Sequence, residues 1–277
     1  MIPSKTLALP HSFFPRQTFY QTLQAGIDSH ILQYQAYTPS TYSDIVFRGA
    51  EVHPYNVISE AFTNLSTMLN RPQKRPTYYF LYFDRIDTTC HNYGPSSKQL
   101  DEAVDLCLNQ MNQLFLQTTR HSTGKTLFMM TADHGQVEVS PYNTYYVNQQ
   151  MPIINRYLKT NSRGHVLAPA GSARDMFLHI KEEYLETAVN ELRQRLTNGP
   201  DQQAEVYLTQ ELVAQNFFGM QPPSRTFMER VGNVVILPYK RETAWWYEEN
   251  KFSMHFQGHH GGLTPEEMEI PLLLMAL

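Results

Sequence analysis

Asp87 and His91 lie four residues apart, Asp133 and His134 are adjacent, and His260 is followed by two glycines. They sit in three short polar stretches, residues 83–95, 131–136 and 258–262, each beside glycine and after or near an apolar run. Imidazole and carboxylate are the ligands that suit zinc and its first-row neighbours. Asp87, His91 and His260 make a three-ligand set of the kind that leaves a catalytic zinc an open fourth position. Asp133 and His134 supply half of a second set. Two cations held about 3.5–4 Å apart clamp the attacking and leaving oxygens of an in-line displacement at phosphorus. Phosphoryl transfer asks above all for charge neutralisation and positioning, which paired metals provide. Each stretch by itself is also what an ordinary turn or loop looks like; order, strand context and ligand chemistry together favour a metal site. No nucleophile motif precedes the first stretch.

The elements that must position these residues alternate between strand and helix. Thr77–Phe83 and Thr126–Met130 are continuous apolar runs, a buried-strand signature. Between them Ser96 or Ser97 can cap a helix whose apolar face runs Leu100, Ala103, Cys107, Met111 and Leu114. This strand–helix–strand unit predicts a parallel pair with a right-handed crossover. Asp87 and His91 follow its first strand and Asp133 and His134 its second, so both groups are expected at the carboxyl edge of one sheet. Upstream, Arg16–Ile27 and Tyr55–Leu69 have helical spacing and Ile31–Tyr37 reads as a strand. Downstream, Met176–Ile180, Val206–Leu208, Val234–Leu237 and Ile270–Leu277 read as strands and Glu182–Leu196 as a helix closed by Asn198-Gly199. The stretch 137–230 is less regular. The expected fold is α/β: a mostly parallel sheet flanked by helices, with a core over 1–136 and 231–277 and a smaller inserted lobe at 137–230.

Composition narrows the function classes. The chain has 277 residues, 42% hydrophobic and 17% charged, which fits a globular protein with a sizeable core and argues against a disordered one. A net charge of -4 argues against a basic nucleic-acid face. Two cysteines, Cys90 and Cys107, are not a disulfide framework, and Cys90 reads as a small buried thiol rather than a ligand. No run reaches the length of a membrane span and no signal-peptide pattern opens the chain, so a cytoplasmic protein is the default expectation. The opening Met1–Lys5 nevertheless reads like the middle of a longer protein, which would leave compartment open. Asn64-Leu65-Ser66 matches a glycosylation acceptor but falls on a helical pattern, where a chance match is expected.

The motifs resemble the type I phosphodiesterase/nucleotide pyrophosphatase branch of the alkaline phosphatase superfamily. Asp87-x-x-x-His91 followed by Gly94-Pro95-x-Ser97 is similar to that family's D-x-x-x-H-x-x-G-P-x-S, and Asp133-His134-Gly135 to its D-H-G motif. His260-Gly261-Gly262, with Pro271-Leu272 beyond it, resembles the closing segment that bears the last metal-binding histidine. The resemblance implies that Asp87, His91 and His260 bind one zinc and Asp133 and His134 another; ligand type alone favours zinc over manganese or iron. It implies a phosphate-ester or nucleotide substrate, an alkaline-phosphatase-like sheet, and a cap inserted between the second and third motifs. It also exposes a departure. Family members begin with a strand ending in a metal-binding Asp and a Thr or Ser nucleophile, and neither is placed here. Thr38–Asp44 is the nearest polar cluster and lacks the preceding strand-Asp. A nucleophile-bearing segment, on this chain's natural extension or on a complementing polypeptide, is therefore expected, and without it catalysis is expected to be impaired. Lost early strands would expose apolar surface and favour self-association. The alternatives are a non-catalytic metal- or phosphate-binding remnant, or a phosphomonoesterase or phosphomutase of the same superfamily.

Overall fold

The computed structural model describes residues 14, 16–119, 125–199 and 201–277; Met1–Lys5 lie outside them. The chain divides into two compact units. One comprises Met1–Ile86, Asp101–Met129 and Leu273–Leu277, and the other Asp87–Leu100 and Met130–Leu272.

The first unit is built on a three-stranded parallel sheet. Strand β1 (Asp28–Tyr34) lies between β2 (Glu51–Tyr55) and β3 (Thr77–Leu81), with His30 opposite Glu51 on one side and Tyr79 on the other. Ile31 and Leu32 point to opposite faces of β1 and are both fully buried, which marks it as the strand covered on two sides. On one face Ile31 packs with Tyr20 and Phe47, backed by Val52 and Phe80. Helix α1 (Phe19–Leu23) is capped by Thr18 through a reciprocal capping box with Gln21. Helix α2 (Thr41–Val46) is started by Ser40 and Ser43 in the same way, and Ser43 is buried. The Thr38–Asp44 cluster thus serves to begin a helix. Helix α3 (Ile58–Leu69) buries Ala61, Phe62 and Leu65. It carries Asn64 on a regular helix with Ser66 buried, which favours chance over glycosylation.

The strand–helix–strand expectation is corrected in one respect. Strand β3 pairs with β1, whereas β4 (Leu127–Thr131) pairs with β13 (Leu272–Ala276), so the two strands flanking helix α5 (Lys98–Met111) belong to different ladders. The two-sided burial of β1 makes it the better partner for β3. By contrast, Leu127 and Met129 of β4 are 69% and 58% exposed. Ser97 caps α5 as anticipated: its hydroxyl accepts the Leu100 amide at 3.2 Å and donates to the Gly94 carbonyl at 2.8 Å.

The second unit has an antiparallel four-stranded sheet ordered β7 (Ala170–Ser172), β8 (Asp175–Leu178), β10 (Val234–Pro238), β9 (Ala204–Leu208). The helix Leu185–Leu192 lays Ala188, Val189 and Leu192 against Met176, Leu178, Val234 and Ile236, all buried in one core. Trp246 belongs to that core and Trp245 packs edge-on to Phe252, so the Trp pair is structural. Two short ladders complete the unit. Strand β5 (Val137–Glu138) runs antiparallel to β12 (Gly258–His259), and β6 (Tyr145–Tyr146) parallel to β11 (Ala244–Trp245).

Candidate metal centre

Asp87 and His91 sit on one face of helix α4 (Arg85–Tyr93), since residues four apart on a helix lie one above the other. Asp87 is in the first turn and His91 in the last, so the acid faces the positive end of the helix dipole and the imidazole the negative end. Asp87 Oδ1 lies 3.6 Å from His91 Nε2 and 4.0 Å from His260 Nε2. One ligand atom from each of the three residues falls within 4.8 Å of the others. Zinc bonds of about 2.0–2.2 Å at tetrahedral angles put ligand atoms roughly 3.3–3.6 Å apart, so the Asp87–His91 edge already has that spacing and the Asp87–His260 edge is a little wider. Carboxylate plus two imidazoles is a donor set that fits zinc.

The β5–β12 ladder carries the second and third motifs together. Gly258 pairs with Glu138 and His259 with Val137, which places His260 beside the turn that bears Asp133 and His134. The rings of His134 and His260 stack with centroids 3.6 Å apart. Helix α4 is tied to the same ladder: the His91 carbonyl accepts the Gln257 amide at 2.8 Å, and His91 Nδ1 donates to the Gly258 carbonyl at 2.7 Å. That bond fixes the tautomer and leaves the Nε2 lone pair for a cation. His134 repeats the arrangement, with Nδ1 3.0 Å from the Gly135 carbonyl. Burial, and then the neighbouring His134 and His91 rings, lower the His260 imidazole to about 4, so it is neutral at pH 7 with a free lone pair.

His259 stands outside the set. Its Nδ1 lies 2.9 Å from both the amide and the carbonyl of His260, so that nitrogen is engaged by the backbone. Asp84 accepts the Tyr37 hydroxyl instead of joining the cluster. Cys90 is buried on α4 and desolvation pushes its thiol up to about 11, as expected of an inert structural cysteine. Asp133 Oδ1 lies 3.7 Å from His134 Nε2, so the two candidate groups of the second motif face each other.

Three supports were not legible in the motifs. Gln136 donates to the Asp87 carboxylate at 2.6 Å and to its carbonyl at 3.2 Å, which orients the ligand; its place directly after Asp-His-Gly was the one available signal. Arg174 is fully buried and forms a bidentate pair with Glu267, at 2.9 and 2.8 Å. Glu267 in turn accepts the Gly262 amide at 2.9 Å and the Thr264 hydroxyl at 2.8 Å, bracing the loop after His260. Gly261 has φ +117°, and a Cβ there would meet Ser172 Oγ at 2.4 Å, so glycine at this position is a backbone and steric requirement. Gly135 is similarly confined, with a Cβ position 2.1 Å from the Glu266 carbonyl oxygen.

Comparison with known proteins places the chain by family and by fold. A family model described as type I phosphodiesterase/nucleotide pyrophosphatase matches residues 6–263. The structure is similar to murine ectonucleotide pyrophosphatase/phosphodiesterase 5, with TM-score 0.62 and 16% identity over 92% of this chain and 62% of that one. The human counterpart matches with TM-score 0.62 and 15% identity over the same shares, 92% and 62%. Phosphonoacetate hydrolase from Sinorhizobium meliloti matches with TM-score 0.57 and 14% identity over 92% of this chain and 67% of that one. At these identities the likeness is one of fold, α/β and of the alkaline-phosphatase type. The chain spans 62% of the length of the first two of these relatives. With the matched segment running from residue 6 to residue 263 and taking in all three motifs, the chain belongs to the type I phosphodiesterase/nucleotide pyrophosphatase family, within the alkaline phosphatase superfamily.

Proposed function

We propose that this chain carries the metal-binding part of a hydrolase of phosphodiester or nucleotide pyrophosphate bonds. The observation that carries the reading is the convergence of Asp87, His91 and His260, from two motifs 167 residues apart at the His91–Gly258 contact, onto one point. Asp87, His91 and His260 would hold one divalent cation and Asp133 and His134 part of a second, with zinc the metal that the donors suit best. Bound there, the cations would neutralise phosphoryl charge and polarise the phosphorus centre. The chain's own part is to orient the ligands, through Gln136 on Asp87 and the Gly258 carbonyl on His91, and to hold His260 neutral.

The nucleophile is not assigned to these residues. Ser40 and Ser43 are engaged in capping α2. A hydroxyl nucleophile and the carboxylate that completes the second metal set would come from a segment outside the described residues or from a complementing polypeptide. The incompleteness of the second set favours, as the second reading, a binding module that takes up metal or phosphate without turnover.

The test is hydrolysis of bis(4-nitrophenyl) phosphate and of 4-nitrophenyl phosphate by this chain, with zinc, after chelation, and in the Asp87→Ala/His91→Ala/His260→Ala variant. The expected result is turnover of the diester over the monoester, abolished by chelator and by the triple variant. Undiminished turnover in the triple variant overturns the reading. Metal uptake with no turnover in any form supports the binding module, and preference for the monoester moves the assignment to a phosphomonoesterase.

A further inference from the structure

A second group of potential ligands lies in the first unit, on the parallel sheet. In β1 and β2 side chains alternate between faces, so His30 shares a face with its register partner Glu51, and His53 follows Glu51 by two residues on that same face. His30 Nδ1 is 3.0 Å from His53 Nε2 and 3.5 Å from Glu51 Oε2, and His53 Nε2 is 3.8 Å from Glu51 Oε1. One donor atom from each residue lies within 4.8 Å of the others. The two imidazole nitrogens are at hydrogen-bond distance and each faces a different oxygen of the Glu51 carboxylate, at separations close to the roughly 3.3–3.6 Å of ligand atoms around a tetrahedral zinc. The Tyr79 ring stacks on His30 at 5.3 Å and 18° from the β3 side and holds the imidazole in its plane. The side chains of His30 and His53 are 20% and 26% exposed, enough for access by an ion, while that of Glu51 is 67% exposed at the sheet edge. His30 and Glu51 also line an open polar groove with Asp28 and Arg75, and the Arg75 cation there is already paired with Asp28 at 2.9 Å.

We infer that His30, Glu51 and His53 form a binding site for a zinc-class divalent cation, separate from the Asp87/His91/His260 set. Two imidazoles and one carboxylate select a borderline metal such as zinc over magnesium or calcium, which prefer all-oxygen shells. Water from the Glu51 side would complete the coordination. Because His30 is on β1 and the other two ligands are on the edge strand β2, a bound ion would clip that edge strand to its neighbour. The inference does not depend on the proposed phosphodiesterase activity.

The test is calorimetric zinc titration of tag-free protein in four forms: wild type, His30→Gln/His53→Gln, Asp87→Ala/His91→Ala/His260→Ala, and the two sets combined. The expected result is one equivalent fewer in the His30/His53 variant than in wild type. The Asp87/His91/His260 variant retains one equivalent, which the combined variant loses. Cobalt(II) in the Asp87/His91/His260 variant should show the visible bands of tetrahedral coordination. Should the double histidine variant fold poorly, Glu51→Gln is the companion, since that side chain is largely exposed and its loss spares the sheet. It is expected to weaken zinc binding in the Asp87/His91/His260 background at least tenfold. Equal zinc stoichiometry with and without His30 and His53, or unchanged affinity in Glu51→Gln, overturns the assignment.

Discussion

At the scale of the residue, the partner that holds a candidate ligand in place bears on how well it can bind a cation. Gln136 is the one side chain whose amide donates to Asp87 Oδ1, at 2.6 Å among the described residues. Removing an outer partner of a ligating carboxylate typically costs 10–100-fold in metal affinity. Gln136→Ala is accordingly expected to weaken zinc binding about 10–100-fold, while circular dichroism and the melting temperature stay close to wild type. Calorimetric titration checks this, and unchanged affinity would show that Asp87 needs no orienting partner. The candidate ligands themselves could be picked out from the chain because each motif brings its chemistry with it. Gln136 could not be read in its role, because the contact spans 49 residues and glutamine is ordinary in a loop.

At the scale of the element, the loop after His260 depends on a buried charge pair. Arg174 and Glu267 have side-chain exposures of 0% and 1%. Burial raises the Glu267 carboxyl, but the Arg174 hydrogen bonds and charge, with Thr264 and the Gly262 amide, outweigh it, and the net shift is below the ordinary 4.5. A carboxyl whose folded value is depressed contributes stability that is present above its unfolded value and is lost as pH falls through the folded one. The second unit should therefore lose stability on acidification below about 4.5, and Glu267→Gln should flatten that acid limb. Arg174→Met strands the carboxylate and is expected to cost about 3–5 kcal/mol at neutral pH. Both Trp residues lie in this unit, so denaturation followed by tryptophan fluorescence between about pH 3 and pH 7 reads it directly. An acid limb that persists unaltered in Glu267→Gln would assign the loss to another group. Among the elements, the helices with an apolar face were legible: α3 and α5 fall within the periodic stretches that predict them. Strand β2 was not, because Glu51-Val52-His53-Pro54-Tyr55 has little apolar alternation and includes a proline, which an edge strand tolerates. The short helix α4 was not either, since its apolar content is low and metal-motif residues take up its face.

At the scale of the whole molecule, the exposed apolar strands stand out. Leu127 and Met129 of β4 and Leu274 of β13 are 69%, 58% and 55% exposed. Apolar strand surface open to solvent is a template for association. Concentration-dependent self-association is expected by analytical ultracentrifugation, weakened in Leu127→Lys/Leu274→Lys. A monomer at every concentration would remove this expectation. No helix among the described residues is long and apolar enough to cross a membrane.

By itself the sequence determined the family motifs, the α/β class and the chemistry that five candidate ligand residues offer, because side-chain type, strand-to-loop context and glycine placement are local properties. What the tertiary structure alone decided was pairing. It set β3 against β1 rather than β4, aligned β12 with β5 so that His260 meets Asp87 and His91, and seated Arg174 under the last motif. It also brought His30 to Glu51 and His53, which no motif announces. Hydrogen-bond partners of a strand edge and the contacts of a buried guanidinium depend on which surfaces are covered, and covering is a property of the folded chain as a whole.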